Sequence, residues 1–278
     1  MLRIGFLFPG QGAQYPGMGK EIAGTYPEAA GIFNQADEIL GFRLSEICFE
    51  GPAEVLNQTE YAQPALLTCS LAIWEVVKNI GLEAGLLAGL SLGEYTALTA
   101  AGALDFAEAL PLVRFRGRLM QEAVPPGKGA MAAVLGLDAE KVDEICAQTA
   151  GYVAAANYNC PAQLVISGEK EAVEKACASL KEAGARVVPL AVSVPSHCRL
   201  MYEAAMKLKD RLEQLHWKES ARPVVSNVNA RENPPGAAAE LLAQQLYSPV
   251  RWEESIRYMM NKVDYFVEIG PGSSLSGL

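Results

Sequence analysis

The sequence has 278 residues, half of them apolar, which is enough for one large domain or for a domain that carries an inserted one. Its 32 acidic and 23 basic residues give a formal net charge of −9, and the absence of a basic block argues against nucleic acid as a partner. No apolar run approaches the ~20 residues of a membrane span, and the N-terminus lacks the pattern of a signal peptide. We therefore expect a soluble, cytoplasmic protein that neither enters a membrane nor binds nucleic acid.

The cysteines are scattered along the chain without C-x-x-C spacing, at positions 48, 69, 146, 160, 177 and 198. Such a distribution predicts neither a metal site nor a disulfide framework. Reduced thiols in the cytosol are the simplest interpretation.

The first segment, residues 3–8, is short and apolar, and a glycine-rich loop follows it at residues 9–14. This pattern predicts a buried strand that ends in a loop. The loop has neither the G-x-x-x-x-G-K-[ST] nor the G-x-G-x-x-G spacing of nucleotide-binding loops. Backbone N–H groups around Gln11 could donate to an oxyanion, and a plain turn from strand to helix is the alternative.

A serine on a sharp turn is the most informative feature of the next part of the chain. A short apolar strand at residues 85–88 leads into Gly89-Leu90-Ser91-Leu92-Gly93, which has the pattern G-x-S-x-G. Between a strand and a helix, this pattern exposes the serine Oγ as a nucleophile, and the glycines avoid a collision of strand with helix. The N–H of Leu92 would then face a tetrahedral oxyanion. Preceding helices are predicted over residues 19–25, 28–40 and 61–80.

Three arginines lie in a predicted helix over residues 105–122, in which Pro111 should cause a kink or a break. Arg114 and Arg118 are four residues apart and share a face, whereas Arg116 projects from an apolar face. We therefore expect Arg114 and Arg118 in solvent and Arg116 in the interior. A buried guanidinium needs an anion, either a structural Asp or Glu or the carboxylate of a substrate.

The composition and the periodicity both change at Pro125-Pro126-Gly127-Lys128-Gly129. The order β-α-β-β-α-β that follows is typical of a ferredoxin-like fold. We predict an inserted subdomain over residues 125–193, in which residues 157–161 form the tight turn between the middle strands. Its strands are predicted over residues 130–135, 153–156, 164–167 and 186–190, and its helices over residues 139–149 and 170–183.

The sequence contains two histidines, and a serine nucleophile needs a base. His216 lies at a helix end among charged neighbours and is interpreted as structural. His197 follows a Pro-Ser turn where the chain leaves the predicted insert, and it is the better candidate for the base. A pair of His197 with Cys198 is disfavoured, because adjacent residues rarely direct their side chains at each other.

The last part of the chain completes the predicted core. Helices are expected over residues 201–215, 237–246 and 252–260, and strands over residues 223–226 and 265–269. With the strands at residues 3–8 and 85–88, these give about four short apolar strands that alternate with helices, which is typical of a parallel α/β sheet. The predicted fold class is α/β, with a large subdomain over residues 1–124 and 194–278.

Six short motifs occur in the order in which a known family has them. They are Phe8-Pro9-Gly10-Gln11-Gly12-Ala13-Gln14, Gln63-Pro64-Ala65-Leu66, Ser91-Leu92-Gly93-Glu94-Tyr95, Arg116-Gly117, Val194-Pro195-Ser196-His197 and Glu268-Ile269-Gly270-Pro271-Gly272. With this set, which extends over nearly the whole chain, the sequence resembles the malonyl-CoA:acyl carrier protein transacylases of type II fatty acid synthesis. It is also similar to the acyltransferase domains of polyketide synthases.

The resemblance implies an α/β-hydrolase-like large subdomain, a ferredoxin-like insert and an active site in the cleft between them. It implies that Ser91 is the nucleophile, that His197 is the base, and that Arg116 binds the malonyl carboxylate. The N–H groups of Gln11 and Leu92 would form the oxyanion hole.

Further positions follow from the same resemblance. A backbone carbonyl, matched here by Gln245, would orient the base in place of a triad acid, and Gln63 and Asn157 match polar positions near the cleft. Malonyl-CoA and acyl carrier protein would be the partners, no metal or organic cofactor would be needed, and a monomer would suffice. Since carrier proteins are acidic, Arg114 and Arg118 are candidates for a docking patch.

Two substitutions and one length difference distinguish the sequence from the family pattern. Leu90 stands where the family usually has His before the nucleophile, Pro111 lies in the helix that carries the arginine, and the sequence ends at Leu278, before the usual end of the family. Three rival functions share parts of the pattern: a serine acyl hydrolase, a stand-alone polyketide acyltransferase with malonyl or another extender unit, and a non-catalytic module that docks a carrier protein.

Overall fold

The structure is a computed structural model that describes residues 2–79, 84–190 and 194–278. Its strands are β1 (Ile4–Phe8), β2 (Ala84–Gly89), β3 (Gly129–Leu135), β4 (Val153–Cys160), β5 (Gln163–Glu169), β6 (Arg186–Pro189), β7 (Val224–Val225), β8 (Val250–Arg251) and β9 (Tyr265–Glu268). Its helices are α1 (Lys20–Thr25), α2 (Pro27–Leu40), α3 (Leu44–Glu50), α4 (Ala53–Leu56), α5 (Thr59–Asn79), α6 (Leu92–Ala100), α7 (Phe106–Ala123), α8 (Ala139–Gln148), α9 (Lys170–Glu182), α10 (Tyr202–Leu212), α11 (Ala238–Tyr247) and α12 (Trp252–Met260). Three parts of the predictions lie outside the described residues: the helix end at Ile80, residue 1 of the large subdomain, and residues 191–193 of the insert.

The first sheet is parallel and has the strand order β7-β2-β1-β9. Alternate residues of β1 contribute to different hydrophobic clusters, Phe6 and Phe8 to one and Leu7 to another, and all three are buried. Cover on both faces explains why β1 is apolar throughout and not alternating. The carboxyl ends of parallel strands lie at one edge, so the loops after β1, β2, β7 and β9 meet there.

The second sheet has the order β6-β3-β5-β4-β8, with antiparallel pairing among β3 to β6. One face packs against α8 and α9 through a separate hydrophobic cluster. The order of β6, β3, β5 and β4 is that of a ferredoxin-like sheet, in agreement with the predicted fold class. The structure adds β8, a two-residue strand from the last part of the chain that runs parallel to β4. A strand this short has no periodicity that a sequence could reveal.

One local prediction was wrong. Residues 157–160 were expected in a turn, but β4 continues through Cys160, because Tyr158 packs on the cluster under α8 and bonds Asp143 through its hydroxyl. The reversal follows at Pro161 and Ala162, where Ala162 has a φ of 58°. Helix α7 is continuous through Pro111, which excludes a break and leaves a kink as the remaining prediction at this proline. The short helices α3 and α4 were not predicted.

Candidate active site

Ser91 lies on a strained turn between β2 and α6. Its backbone has φ 54° and ψ −104°, a region that side chains other than glycine rarely adopt. The flanking glycines are sterically required: a Cβ on Gly89 would lie 1.9 Å from the carbonyl carbon of Gly93, and a Cβ on Gly93 would lie 2.1 Å from the carbonyl oxygen of Phe8. The G-x-S-x-G pattern therefore reflects close packing of strand and helix around the serine.

Asn227, in the loop after β7, stabilises this turn from the neighbouring strand. Its Oδ1 accepts a hydrogen bond from the N–H of Ser91 at 2.7 Å, and its Nδ2 donates to the carbonyl of Gly89 at 2.8 Å. Asn227 is completely buried. One side chain thus binds the backbone on both sides of Leu90 and offsets part of the strain at the serine.

His197 is close enough to Ser91 to act as its base. Its Nε2 is 2.7 Å from Ser91 Oγ, and its Nδ1 is 2.8 Å from the main-chain carbonyl of Gln245. Since a carbonyl only accepts, the ring proton belongs on Nδ1, which leaves Nε2 free to accept the serine proton. Burial, and next the charge of Arg116, lower the pKa of His197 to about 4, against the opposing effect of the Gln245 carbonyl. The imidazole is therefore neutral at pH 7.

The other histidine and the neighbouring cysteine have different surroundings. His216 is on the surface, where its Nδ1 is 2.9 Å from Glu108 Oε1. Cys198 directs its Sγ toward the carbonyl of Pro195, at 3.2 Å, and burial raises its pKa. Neither group reaches Ser91 by a hydrogen bond in the described ranges.

Arg116 projects from α7 into the interior, where it is 1% exposed. Helix α7 packs closely on the start of α5, since a Cβ on Gly117 would lie 2.5 Å from the carbonyl oxygen of Thr59. This packing brings Nη1 of Arg116 to 2.9 Å from Gln63 Oε1, while Nη2 is 3.1 Å from Ser91 Oγ. The aromatic ring of Tyr95 lies 5.2 Å from the guanidinium carbon.

The hydrogen-bond partners of Arg116 are all neutral. Gln245 Oε1, at 3.1 Å from Nη2, completes the set with Gln63 and Ser91, and Nε has no partner in the described part of the chain. Burial lowers the pKa of Arg116. The sequence left open whether a structural carboxylate or a substrate carboxylate would pair with this cation. A buried cation with neutral partners favours the substrate, because it gains most from an incoming anion.

The side chain of Gln245 connects these groups. Besides Arg116, it reaches the main-chain carbonyl of Ser91, to which its Nε2 donates at 2.9 Å. The same Nε2 donates to Glu94 Oε2 at 2.7 Å. Glu94 also accepts from the N–H of Asn227 at 3.1 Å, and burial raises its pKa to about 7.

The two predicted oxyanion donors lie on either side of the turn. The loop after β1 packs on the serine turn, since a Cβ on Gly10 would lie 2.5 Å from the carbonyl oxygen of Leu90. The side chain of Gln11 bonds Thr59 Oγ1 at 3.2 Å, which fixes its loop against α5. The N–H groups of Gln11 and Leu92 donate to no backbone atom of the described residues, so both remain available for a ligand.

Three predicted positions lie outside this group of side chains. Asn157 is 7% exposed and lies in β4, where it pairs with Val250 of β8, and its side chain bonds none of the groups around Ser91. Arg118 is exposed as expected. Arg114 is not free in solvent, which corrects the prediction: it bonds Glu60 at 2.7 Å and lies over the Phe42 ring. An arginine engaged in this way is a weaker candidate for docking a carrier protein.

Sequence reasoning did not single out Asn227 or Glu94. Glu94 had a visible signal, because it directly follows Gly93 and is the one charged residue in α6. Asn227 follows a strand of only two residues, so its position at the sheet edge became evident only from the strand order.

The described ranges contain neither a membrane-spanning helix nor a cluster of metal ligands. No helix there is long and apolar enough to cross a membrane. No group of three or more His, Cys, Asp or Glu side chains in those ranges is arranged to hold a metal ion. The six cysteines are free thiols.

Comparison with known proteins identifies the family. Residues 5–277 match the acyl transferase domain family. The chain is 51% identical over 284 aligned residues to the malonyl CoA-acyl carrier protein transacylase of Bacillus subtilis (strain 168), with 100% of this chain and 90% of the relative covered. It is 47% identical to the transacylase of the same name from Escherichia coli (strain K12), with 100% and 92% covered.

Solved structures give the same result. A type II polyketide acyl-carrier protein in complex with its malonyl-transacylase contains a chain that superposes with a TM-score of 0.97 at 46% identity, covering 99% of this chain and 91% of that one. The malonyl CoA-acyl carrier protein transacylase of Clostridium perfringens superposes with a TM-score of 0.96 at 44% identity, covering 99% and 88%. By sequence and by fold, this chain belongs to the acyl transferase domain family and, within it, to the malonyl CoA-acyl carrier protein transacylases.

Proposed function

We propose that this protein transfers the malonyl group of malonyl-CoA to the phosphopantetheine thiol of acyl carrier protein, through a malonyl ester on Ser91. The observation that carries the proposal is the position of Ser91 Oγ, 2.7 Å from His197 Nε2 and 3.1 Å from Arg116 Nη2. A nucleophile, a neutral base and a buried cation thus share one group of hydrogen bonds. The names of the relatives support the same reaction.

In the first half-reaction, Ser91 attacks the thioester carbonyl of malonyl-CoA. His197 Nε2 takes the hydroxyl proton as the Oγ–C bond forms, and the negative charge moves to the carbonyl oxygen. The N–H groups of Gln11 and Leu92 stabilise this oxyanion. The C–S bond then breaks, the imidazolium returns the proton to sulfur, and CoA leaves as a thiol.

The second half-reaction repeats these steps with a different nucleophile. The phosphopantetheine thiol of the carrier protein gives its proton to His197 and attacks the malonyl ester. The oxyanion forms in the same place, and Ser91 leaves with the proton from the imidazolium. The reaction is therefore ping-pong, and neither half needs a metal or an organic cofactor.

Arg116 determines which acyl group the site prefers. Its guanidinium is planar and presents paired donors that match a carboxylate. With malonyl bound, the cation gains an anionic partner, whereas an acetyl group would leave it with neutral acceptors only. The site therefore favours malonyl over acetyl and over uncharged long-chain groups.

The rival functions are less well supported. A simple serine acyl hydrolase has no need of a buried guanidinium beside its nucleophile. One solved neighbour is a malonyl-transacylase in complex with a type II polyketide acyl-carrier protein, so a polyketide role would change the carrier and not the chemistry. We place the enzyme in the cytoplasm and in fatty acid synthesis, in keeping with its six free cysteines and the names of its relatives.

Intact-mass analysis tests the proposal directly. The protein is mixed with malonyl-CoA, and with acetyl-CoA in parallel, and then with carrier protein whose phosphopantetheine thiol is free. We expect one malonyl group per chain, no comparable acetyl label, and transfer of the malonyl group to the carrier thiol. Ser91→Ala should not be labelled. Discharge of the label to water before the carrier is added would support the hydrolase instead.

A further inference from the structure

Glu94 is a buried carboxylate without a direct ion pair to any described residue, although the nearby charge of Arg116 lowers its pKa against the larger, opposite effect of burial. It is fully buried on α6, and none of the described lysines, arginines or histidines forms an ion pair with it. Its Oε2 accepts from Gln245 and from the N–H of Asn227, whereas its Oε1 has no partner among the described residues. Burial of a carboxylate in this way is costly, so the residue is a poor choice for stability alone.

Glu94 binds the side-chain amide of Gln245, whose orientation decides whether Arg116 faces an acceptor or a donor. An amide has a donor end and an acceptor end, and Gln245 uses both: Nε2 donates to Glu94 and to the carbonyl of Ser91, and Oε1 accepts from Arg116. The opposite orientation would place the amide NH₂ against the guanidinium and the amide oxygen against two acceptors. Oε2 of Glu94 accepts here whether the carboxyl is ionised or carries its proton on Oε1, so Glu94 favours the observed orientation.

We propose that Glu94 is a positioning residue: it fixes the Gln245 amide with its oxygen toward Arg116, and thereby holds the guanidinium in place for the malonyl carboxylate. The inference rests on the proposed function. Two hydrogen bonds connect Glu94 to Arg116 through Gln245: Glu94 Oε2 is 2.7 Å from Gln245 Nε2, and Gln245 Oε1 is 3.1 Å from Arg116 Nη2. Glu94 itself touches neither the acyl group nor the reacting atoms in this account.

The consequence is a selective loss of malonyl transfer. If Glu94 only stabilised the serine turn, its replacement would slow acylation by malonyl-CoA and by acetyl-CoA to the same extent. If it acts through Gln245 on Arg116, malonyl transfer should suffer more, because an acetyl group has no carboxylate for the guanidinium to bind. The ratio of the two acylation rate constants therefore separates a structural role from a positioning role.

The experiment compares second-order rate constants for acylation of Ser91 by malonyl-CoA and acetyl-CoA, followed by intact mass. Glu94→Leu removes the acceptor and should lower the malonyl-to-acetyl ratio about tenfold, the usual effect of one hydrogen bond to a charged group. Glu94→Gln keeps a neutral acceptor of similar shape, and we expect the ratio to fall about threefold. Thr68→Val, which alters a buried hydroxyl on α5 with no described partner, should leave the ratio unchanged.

A double-mutant cycle identifies the route. Gln245→Ala keeps the main-chain carbonyl that bonds His197, and in this background Glu94→Gln should change the ratio by less than about twofold. The proposal is overturned if the Glu94 variants lower both rates equally, or if the effect persists in the Gln245→Ala background. Should Glu94→Leu fail to fold, as circular dichroism would reveal, Glu94→Gln decides alone. A wild-type protein that takes no malonyl group would overturn the proposed function as well, and is recognised before any variant is made.

Discussion

Replacement of Arg116 by alanine is the sharpest test of how the site selects its substrate. The guanidinium is 1% exposed, and its hydrogen-bond partners Gln63, Ser91 and Gln245 are all neutral. The side chain therefore adds a positive charge beside the nucleophile without an anion that neutralises it by direct contact. A malonyl carboxylate would supply that anion.

The expected fall in kcat/KM for malonyl-CoA follows from the number of hydrogen bonds that the substitution removes. A carboxylate held by both prongs of a guanidinium makes two charge-assisted hydrogen bonds, each of which contributes about 1.5–3 kcal/mol. Their loss amounts to about 3–6 kcal/mol, which corresponds to a fall of roughly 10²–10⁴ in kcat/KM for malonyl-CoA. Acetyl-CoA has no carboxylate to lose, so its kcat/KM should stay the same or rise.

The assay follows the release of CoA thiol in the presence of holo carrier protein, with malonyl-CoA and acetyl-CoA as alternative substrates. Arg211→Ala is a matched control, because Arg211 is an exposed arginine on α10 that is not among the predicted docking residues. Loss of Arg116 also removes a charge that lowers the pKa of His197, so the acid limb of the acetyl pH profile should move to higher pH. Near-equal malonyl turnover by Arg116→Ala and the wild type would refute the carboxylate role.

Three further predictions concern the serine turn and its base. Gly89→Ala places a Cβ 1.9 Å from the carbonyl carbon of Gly93 and should prevent folding or remove activity, whereas Gly24→Ala, with open space around it in α1, should leave activity unchanged and the melting temperature equal or slightly higher; normal activity of Gly89→Ala would contradict the packing argument. Asn227→Ala removes two buried hydrogen bonds to the turn and should lower the free energy of unfolding by about 1–3 kcal/mol in urea titrations; the isosteric Asn227→Asp should not restore it, because a buried carboxylate is costly and cannot donate to the carbonyl of Gly89. The pKa of His197 is lowered from 6.5 to about 4, so below pH 6.5 the unfolded chain takes up a proton that the folded protein does not. The stability contributed by the neutral ring is therefore present above pH 6.5 and is lost as the pH falls toward 4. Because the ring stays neutral in the folded protein, kcat/KM for acylation should not fall near pH 6.5 on account of this residue. Glu94 has a pKa of about 7 and could itself produce an acid limb, so the pH profile is also measured in Glu94→Gln. An acid limb centred at pH 6.5 that persists in this variant would contradict the prediction for His197.

Several features of the site could be predicted from local sequence. The G-x-S-x-G pattern after a short apolar strand indicates a strained turn, because only glycine leaves room for the strand and the helix to approach, and the structure has Cβ distances of 1.9 and 2.1 Å at Gly89 and Gly93. The helical period of 3.6 residues likewise predicted that Arg116 points inward while Arg118 points outward. The contact of Gly89 with Gly93 and the direction of Arg116 depend on residues within one segment, which local sequence encodes, whereas the contact of Gly93 with Phe8 joins distant segments.

Other features depend on contacts between segments that are far apart in the sequence. His197 reaches Ser91 across 106 positions, Gln245 bonds Ser91 across 154, and Asn227 bonds it across 136. Arg114 was expected in solvent, yet it pairs with Glu60, because α7 packs against the start of α5. No periodicity within one helix specifies which charged residue of another helix will face it.

By itself, the sequence determined the alternation of strands and helices, the order of the insert, the serine turn and the inward arginine, since each of these depends on spacing along one segment. Only the tertiary structure decided that the carboxyl ends of β1, β2 and β7 meet, and with them Gln11, Ser91 and Asn227. It also decided that Glu94 and Gln245 bond each other. Hydrogen bonds act over about 3 Å in space, whatever the separation in sequence, and the order of strands in a sheet is not written in the pattern of any one strand.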